Sequence, residues 1–142
     1  MKMKRRKRTE ILIQDDSNLA QDLASMILEK YECREVVMPQ YGLTMIKMRE
    51  SAKKSLFYMG EVLITEAKVE VQSCIGIGII VGMEEKKARN MAIIDAAYQA
   101  GLPETESWEA ELIEAEQRII EKRLKHQADL SETKVDFETM DV

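Results

Sequence analysis

The sequence predicts an α+β fold, in which helices pack on an antiparallel β-sheet and an extended C-terminal helical arm follows. Three observations support this class. Apolar residues recur at helical spacing near both ends of the chain, segments between residues 35 and 81 have the pattern of strands, and no internal repeat is present. At 142 residues the chain has the length of one domain. We expect an α+β core at residues 1–103, and a C-terminal helix with a partner-binding tail of the same domain at residues 104–142.

Two helices are predicted between residues 9 and 31, because apolar positions recur every three or four residues around a polar break at residues 15–18. A basic block at residues 2–8 precedes them and holds six of the 21 Lys and Arg residues, whereas the rest of the chain has 15 basic residues against 26 acidic ones. This block is interpreted either as the solvated first turn of a helix or as a contact for an acidic partner or a nucleotide phosphate.

Short antiparallel strands are predicted at residues 35–39, 43–48 and 57–59, separated by Pro39, Gly42 and a charged loop. Residues 60–71 alternate, so that every second residue from Leu63 onward faces one side of the sheet. Residues 75–81 are apolar throughout, which predicts a strand covered on both faces.

Gly76 and Gly78 lie in this apolar segment, and Gly82 directly follows it. A dinucleotide-binding loop needs a different spacing, placed after the strand, and no Lys with Ser or Thr follows as a phosphate-binding loop requires. Because glycines two apart on a strand share a face, we expect Gly76 and Gly78 to allow close approach of a helix or another backbone. Gly82 is expected in the turn into the next helix.

A helix is predicted from residue 84 to about residue 100, followed by a long helix from residue 104 to about residue 130. The long helix carries a narrow apolar stripe of Trp108, Leu112, Ala115 and Ile119. The stripe either docks on a partner or packs back on the chain's own sheet. Val135 and Phe137 alternate with polar residues, which predicts a short terminal strand.

The residue types for catalysis or metal binding are scarce. Cys33 and Cys74 form no CxxC motif and His126 is the only histidine, so we expect no protein-held metal and no cofactor. Asp95 interrupts an apolar segment and must find hydrogen-bond donors, either within the fold or as a partner's basic group. The longest uncharged apolar segment is too short to cross a membrane, and no aromatic residues are interleaved with the basic block, so we expect a cytoplasmic chain that binds neither membrane nor nucleic acid.

The order of several motifs resembles the G-subunit (PhnG) family of the bacterial carbon-phosphorus lyase system, over nearly the whole chain. The residues that carry the resemblance are Arg5 to Leu12, Gly42-Leu43 leading to Arg49, Phe57 to Glu61 with Thr65, Gly76 to Gly82, Ala92 to Ala96 and Val135 to Met140. The sequence departs from the family pattern at Glu66, where an arginine is usual, and at Glu138, where a phenylalanine is usual.

The resemblance implies a subunit without an active site of its own, in a hetero-oligomer with the H, I and J subunits and most directly with the I subunit. With the H, I and L proteins it would act in forming alpha-D-ribose 1-methylphosphonate 5-triphosphate from ATP and a phosphonate. The positions that match family motifs are Gly42, Arg49, Gly60, Glu61, Thr65, Gly82 and Asp95. The candidate partner interface consists of Trp108, Leu112, Ile119, Val135, Asp136, Phe137, Thr139 and Met140.

Two alternatives remain open at this point. The chain could bind the nucleotide triphosphate or the phosphonate directly, through Arg49 and the basic N-terminus. It could also be a freestanding regulatory module, which would require a well-behaved monomer.

Overall fold

The computed structural model describes the backbone of residues 3–49 and 56–140, and the side chains of residues 3–45 and 60–131. Its elements are α1 (Arg5–Gln14), α2 (Leu19–Lys30), β1 (Cys33–Arg49), β2 (Leu56–Val71), β3 (Cys74–Val81), α3 (Glu85–Gln99) and α4 (Glu104–Met140). The α+β class, the antiparallel sheet and the long C-terminal helix are confirmed, and so is the break between the first two helices.

Two compact units make up the chain. The first, called here the helical unit, comprises Met1–Asp16 and Ser107–Val142; the second, the sheet unit, comprises Ser17–Glu106. The helical unit therefore joins the two ends of the sequence. The sheet unit holds α2, α3 and all three described strands.

The sheet has the order β1-β2-β3, and both neighbouring pairs are antiparallel. β1 is one strand of 17 residues, so the prediction of two shorter strands in this region was wrong, and residues 57–59 likewise continue into β2. The β1–β2 register shifts between Val37 and Gln40, where Pro39 lies. Since β1 is an edge strand, the missing amide hydrogen of Pro39 is tolerated at this irregularity. The sequence predicts a charged loop from Arg49 to Ser55; Arg49 instead ends β1, and residues 50–55 lie outside the described ones.

One face of the sheet, the inner face, packs against α3, and α2 packs on the other side of α3. Thr65, Ala67, Val69 and Val71 are all buried on this face, which confirms the alternation predicted for β2. The core is completed by aliphatic residues of the two helices. The largest of these buried side chains are Leu23, Ile27, Ile93 and Ile94.

Gly76 and Gly78 let α3 approach β3 very closely. A Cβ atom at Gly76 would lie 2.1 Å from the Ala92 carbonyl oxygen and 2.2 Å from the Ala96 nitrogen. A Cβ atom at Gly78 would lie 2.1 Å from the carbonyl oxygen of Ala88. The close-packing interpretation of these glycines is confirmed, and the approaching helix belongs to the same chain.

The opposite face of β3 is exposed, so the prediction that this strand is covered on both sides was wrong. Ile75, Ile77, Ile79 and Val81 point away from α3 and are 38–66% exposed. The sequence misled because the exposed positions of β3 are themselves isoleucine and valine. With no polar residue on the open face, a strand with one covered face has the same uniformly apolar sequence as a strand with two.

α4 continues without interruption to Met140, so the predicted terminal strand at residues 133–140 was also wrong. The alternation of two residues, Val135 and Phe137, is a weak signal. No Gly or Pro occurs after Pro103 to stop the helix. Extending an existing helix costs much less than starting a new element, because the nucleation cost has already been met. Within the described ranges, no helix is both long enough and apolar enough to cross a bilayer.

Candidate functional site

In the helical unit, α1 lies parallel to the first half of α4 and is matched to it by charge. The Met3 amide donates to Glu109 Oε2 at 3.1 Å, and Lys7 Nζ lies 3.2 Å from Glu116 Oε1. Farther along, Arg123 donates to the side-chain oxygen of Gln14. The basic start of α1 thus faces the glutamate-rich start of α4.

The charges reverse at the end of α1. Arg118 Nη2 lies 3.4 Å from Asp15 Oδ1, and Lys122 donates to Asp16. The hydrogen bond from Lys122 lowers the pKa of the Asp16 carboxyl, and the same bond raises the pKa of the Lys122 ammonium. Basic side chains also suit the negative end of the α1 dipole. These cations therefore have acceptors within their own unit.

A groove of about 630 Å³ lies at this point and is lined by residues of both helices. Its acidic residues are Asp16 and Asp129, and its basic residues are Arg118, Lys122, Arg123, Lys125 and the exposed His126. Because the charges are mixed, the groove lacks the uniformly positive lining that a triphosphate would need.

After Arg123, α4 extends beyond the last residue of α1 that contacts it. Residues 121–131 are all exposed, including Leu124 at 60% and Leu130 at 55%. The 17 residues from Leu124 to Met140 would span about 25 Å as helix. This segment, called here the free arm, offers apolar side chains that its own unit leaves uncovered.

The candidate interface residues fall into three groups. Trp108 and Leu112 are fully buried within the chain, and Ile119 is half-buried. The backbone of residues 135–140 is helical, while their side chains lie outside the described ones. The buried pair therefore supports the base of α4, and the surface accessible to a partner begins after it.

Thr65 and Gly82, two of the family-motif positions, fix the turn that starts α3. Thr65 Oγ1 donates to the Gly82 carbonyl oxygen at 2.6 Å and accepts from the Glu84 amide at 3.1 Å. Gly82 has φ +96°, a conformation that side-chain-bearing residues rarely adopt. The buried threonine thus ties β2 to the turn that follows β3.

Asp95 is buried in α3, and its Oδ2 accepts the backbone N–H of Ile77 at 3.0 Å. It therefore finds a donor within the fold. Glu66, at the position where the resemblance leads us to expect an arginine, lies on β2 opposite Ile79, with its carboxylate 3.9 Å from Lys68 Nζ.

The remaining motif positions lie along the β1–β2 pair. Gly42 pairs with Ile64, and Glu61 with Met45. Gly60 lies next to Glu61 and has φ +151°. Arg49 ends β1, and its side chain lies outside the described ones. These positions are therefore spread along the β1–β2 strand pair.

Common components of a catalytic site are a metal ion, a reactive thiol and a histidine base. No group of three or more His, Cys, Asp or Glu side chains in the described part of the chain could hold a metal ion. Burial raises the pKa of the Cys33 thiol, so little of the nucleophilic thiolate forms near neutral pH. His126 lies in the open groove among charged side chains.

The sequence prediction missed the acidic and basic residues that join α1 to α4, including Asp15, Asp16 and Arg118. A signal for them exists in the order of charges. The segment from residue 4 to residue 16 runs from basic to acidic, whereas residues 104–125 run from acidic to basic, so a parallel pair of these two segments is matched in charge.

Comparison with protein families gives one assignment. The model of the family described as "Phosphonate metabolism protein PhnG" matches residues 3–141. No curated protein matches the chain. The family implies a role in phosphonate metabolism, within a complex, and because its model covers nearly every residue, the chain belongs to the PhnG family of phosphonate metabolism proteins.

Proposed function

We propose that this chain is a non-catalytic subunit of the carbon-phosphorus lyase system that holds its partners through the free arm of α4. In this proposal it acts with the H, I and L proteins in forming alpha-D-ribose 1-methylphosphonate 5-triphosphate from ATP and a phosphonate, and it belongs to a core complex with H, I and J. The observation that carries the proposal is the exposure of Leu124 and Leu130 on a helix that extends past its intrachain cover.

A helix in a protein gains most of its stability from packing an apolar face on its surroundings, because short isolated helices are only marginally stable in water. The described part of the free arm is exposed on all sides, yet it carries large aliphatic residues. Leu124 and Leu130 are six positions apart and therefore lie on different faces of the helix, so a partner would have to enclose the helix to cover both. A partner would thus provide the cover that α1 provides farther back.

The I subunit is the proposed occupant. The contact surface would begin near Ile119 and continue through Leu124 and Leu130 to the positions expected from sequence, Val135, Asp136, Phe137, Thr139 and Met140. A stable interface buries about 800 Å² on each partner, which a helix of this length supplies only if several of its faces are enclosed. We therefore propose that the partner surrounds the arm, and that docking positions or stabilises the I subunit's active site.

Direct substrate binding is the second candidate, and the charges of the helical unit support it less. Lys7 in the basic block pairs with Glu116, and the groove cations Arg118 and Lys122 pair with carboxylates of their own unit. A phosphate would have to displace these contacts. Exposed ion pairs contribute little energy, so displacement is feasible, but it gives the site no preorganisation.

The test is a binding measurement with the purified I subunit. Replacing Leu124 and Leu130 together by serine should weaken binding by about tenfold or more, which corresponds to about 1.4 kcal/mol. Lys125→Ser, on the same helical turn, is the matched control and should bind nearly as wild type. Because both leucines are exposed, the thermal stability of the free chain should change little.

A second variant keeps both leucines but ends after residue 131, and it should bind the I subunit more weakly than the leucine variant does. If the leucine variant, the truncated chain and the wild type all bind the I subunit equally well, the arm is not the interface.

A further inference from the structure

The free edge of β3 is the starting point. β3 pairs with β2 on one side only and is the last strand of the described sheet. The Ile77 N–H donates to Asp95, so it points away from β2. Because backbone groups alternate in direction along a strand, those of Ile75, Ile79 and Val81 also face the free edge.

Such an edge invites another strand. β3 has the sequence CIGIGIIV, which contains no charge and no proline and is rich in β-branched residues. The unpaired N–H and C=O groups of an edge strand form a template for strand addition. A natural edge strand that has neither a charge nor a proline is therefore usually protected in another way. The sheet unit therefore needs a group at this edge that prevents another strand from pairing with β3.

Asp95 occupies the position where such a group would act. It lies in α3, which contacts the backbone of β3 through the two glycines, so its carboxylate reaches round to the edge. The residue is only 6% exposed, and burying a carboxylate is costly unless it is hydrogen-bonded. The Asp95 carboxylate accepts the hydrogen bond of the Ile77 N–H, so this donor is not available to another strand. It also repels the carbonyl oxygen that an incoming strand would place beside the same N–H.

We propose that Asp95 closes the β3 edge against strand addition, and that the strand it excludes is the β3 segment of another copy of this chain that has not yet folded. The segment is complementary to itself. Aligned antiparallel about Gly78, Ile77 meets Ile79 and Ile75 meets Val81, and no charge opposes the pairing.

A folded second copy is excluded for a steric reason. Neighbouring strands lie about 4.8 Å apart, whereas helix axes need about 8–10 Å. Two α3 helices, each packed on the backbone of its own β3, would collide on the same side of a joined sheet. An unfolded copy brings a bare strand and avoids this collision.

The experiment compares Asp95→Ala and Asp95→Asn with the wild type. The probe is a synthetic peptide of residues 74–81 with lysines added at both ends for solubility. Thioflavin fluorescence and light scattering measure association with the peptide and self-association of the chain. Hydrogen exchange measures protection of the Ile77 amide. The alanine variant should associate several-fold faster and lose that protection, while asparagine, which keeps an acceptor without the charge, should fall between.

Two further variants separate edge opening from simple destabilisation. Ile94→Ala creates a cavity beside the same helix but leaves the β3 edge unchanged. When this variant and Asp95→Ala are compared under conditions that give them equal free energies of unfolding, Ile94→Ala should not bind the peptide. Adding Ile79→Lys to Asp95→Ala should restore solubility, because it places a charge on the strand. The proposal is overturned if Asp95→Ala behaves as the wild type, if Ile94→Ala associates equally, or if the added lysine has no effect.

Discussion

Gly76 sets how closely α3 can pack on the sheet. A methyl group there would overlap three backbone atoms of α3, which cannot rotate away as a side chain could. Gly76→Ala should therefore destabilise the sheet unit by at least about 1–3 kcal/mol, the usual cost of overpacking. Urea unfolding measures it.

Gly42→Ala is the matched control, since it lies on β1 with nothing within 4 Å of the added carbon. Its free energy of unfolding should be unchanged or slightly higher, because alanine restricts the unfolded chain. Equal losses for the two variants would show that the close approach at Gly76 is not what limits substitution.

Tyr31 and Glu104 form a pH-sensitive contact in the sheet unit, with the Tyr31 hydroxyl donating to Glu104 Oε2 at 2.9 Å. The hydrogen bond to Glu104 raises the pKa of Tyr31 above its ordinary value of 10.0. A backbone hydrogen bond at Glu104, together with that from Tyr31, lowers the pKa of Glu104 below 4.5. Because one pKa is raised and the other is lowered, the stability that this contact contributes is limited at both high and low pH.

A raised tyrosine pKa gives stability that is present below pH 10.0 and is lost as pH rises through the folded-state pKa. A lowered glutamate pKa gives stability that is present above pH 4.5 and is lost as pH falls through the folded-state pKa. Melting temperatures of wild type and Tyr31→Phe should therefore differ near neutral pH and converge at both extremes. A difference that stays constant from acid to alkali would contradict this assignment.

At the scale of elements, the β2–β3 hairpin turns on Gln72 and Ser73, whose φ values of 50° and 64° are unfavourable for residues with side chains. Two-residue turns of this shape favour Asn-Gly. Replacing the pair by Asn-Gly should raise the free energy of unfolding by about 1 kcal/mol. Chemical denaturation measures it.

Ser25→Gly in the middle of α2 is a useful comparison for the turn. There the same serine-to-glycine change should lower stability by about 0.5–1 kcal/mol, because glycine weakens a helix interior. If both substitutions act in the same direction, the strain assigned to the turn is absent.

Elements were predictable from sequence where one face is polar. The alternation along β2 identified its buried side, because Glu66 and Lys68 mark the other. The same argument failed for β3, because its open face carries Ile75, Ile77, Ile79 and Val81 where polar residues would have revealed the exposure. The end of α4 was missed because Val135 and Phe137 imitate a strand over a stretch too short to decide.

At the scale of the whole molecule, the candidate site was only partly predictable. The apolar stripe from Trp108 to Ile119 was recognisable, but periodicity cannot say whether such a stripe is covered by its own chain or by a partner. Its first residues are buried within this chain, and the free arm lies beyond them. The basic N-terminal block similarly has an intrachain contact, through Lys7, that depends on pairing the two ends of the sequence.

The central claim is that the chain is an interaction subunit, and the most direct test is to coexpress it, tagged, with the I-subunit homologue from its own genome. The mass of the copurified material is then measured, and the melting temperature of the isolated chain is recorded with and without ATP and a phosphonate. We expect a stable hetero-oligomer, and an isolated chain that neither ligand stabilises. A monomer that leaves the I subunit behind, and whose melting temperature rises with ATP, would contradict the account.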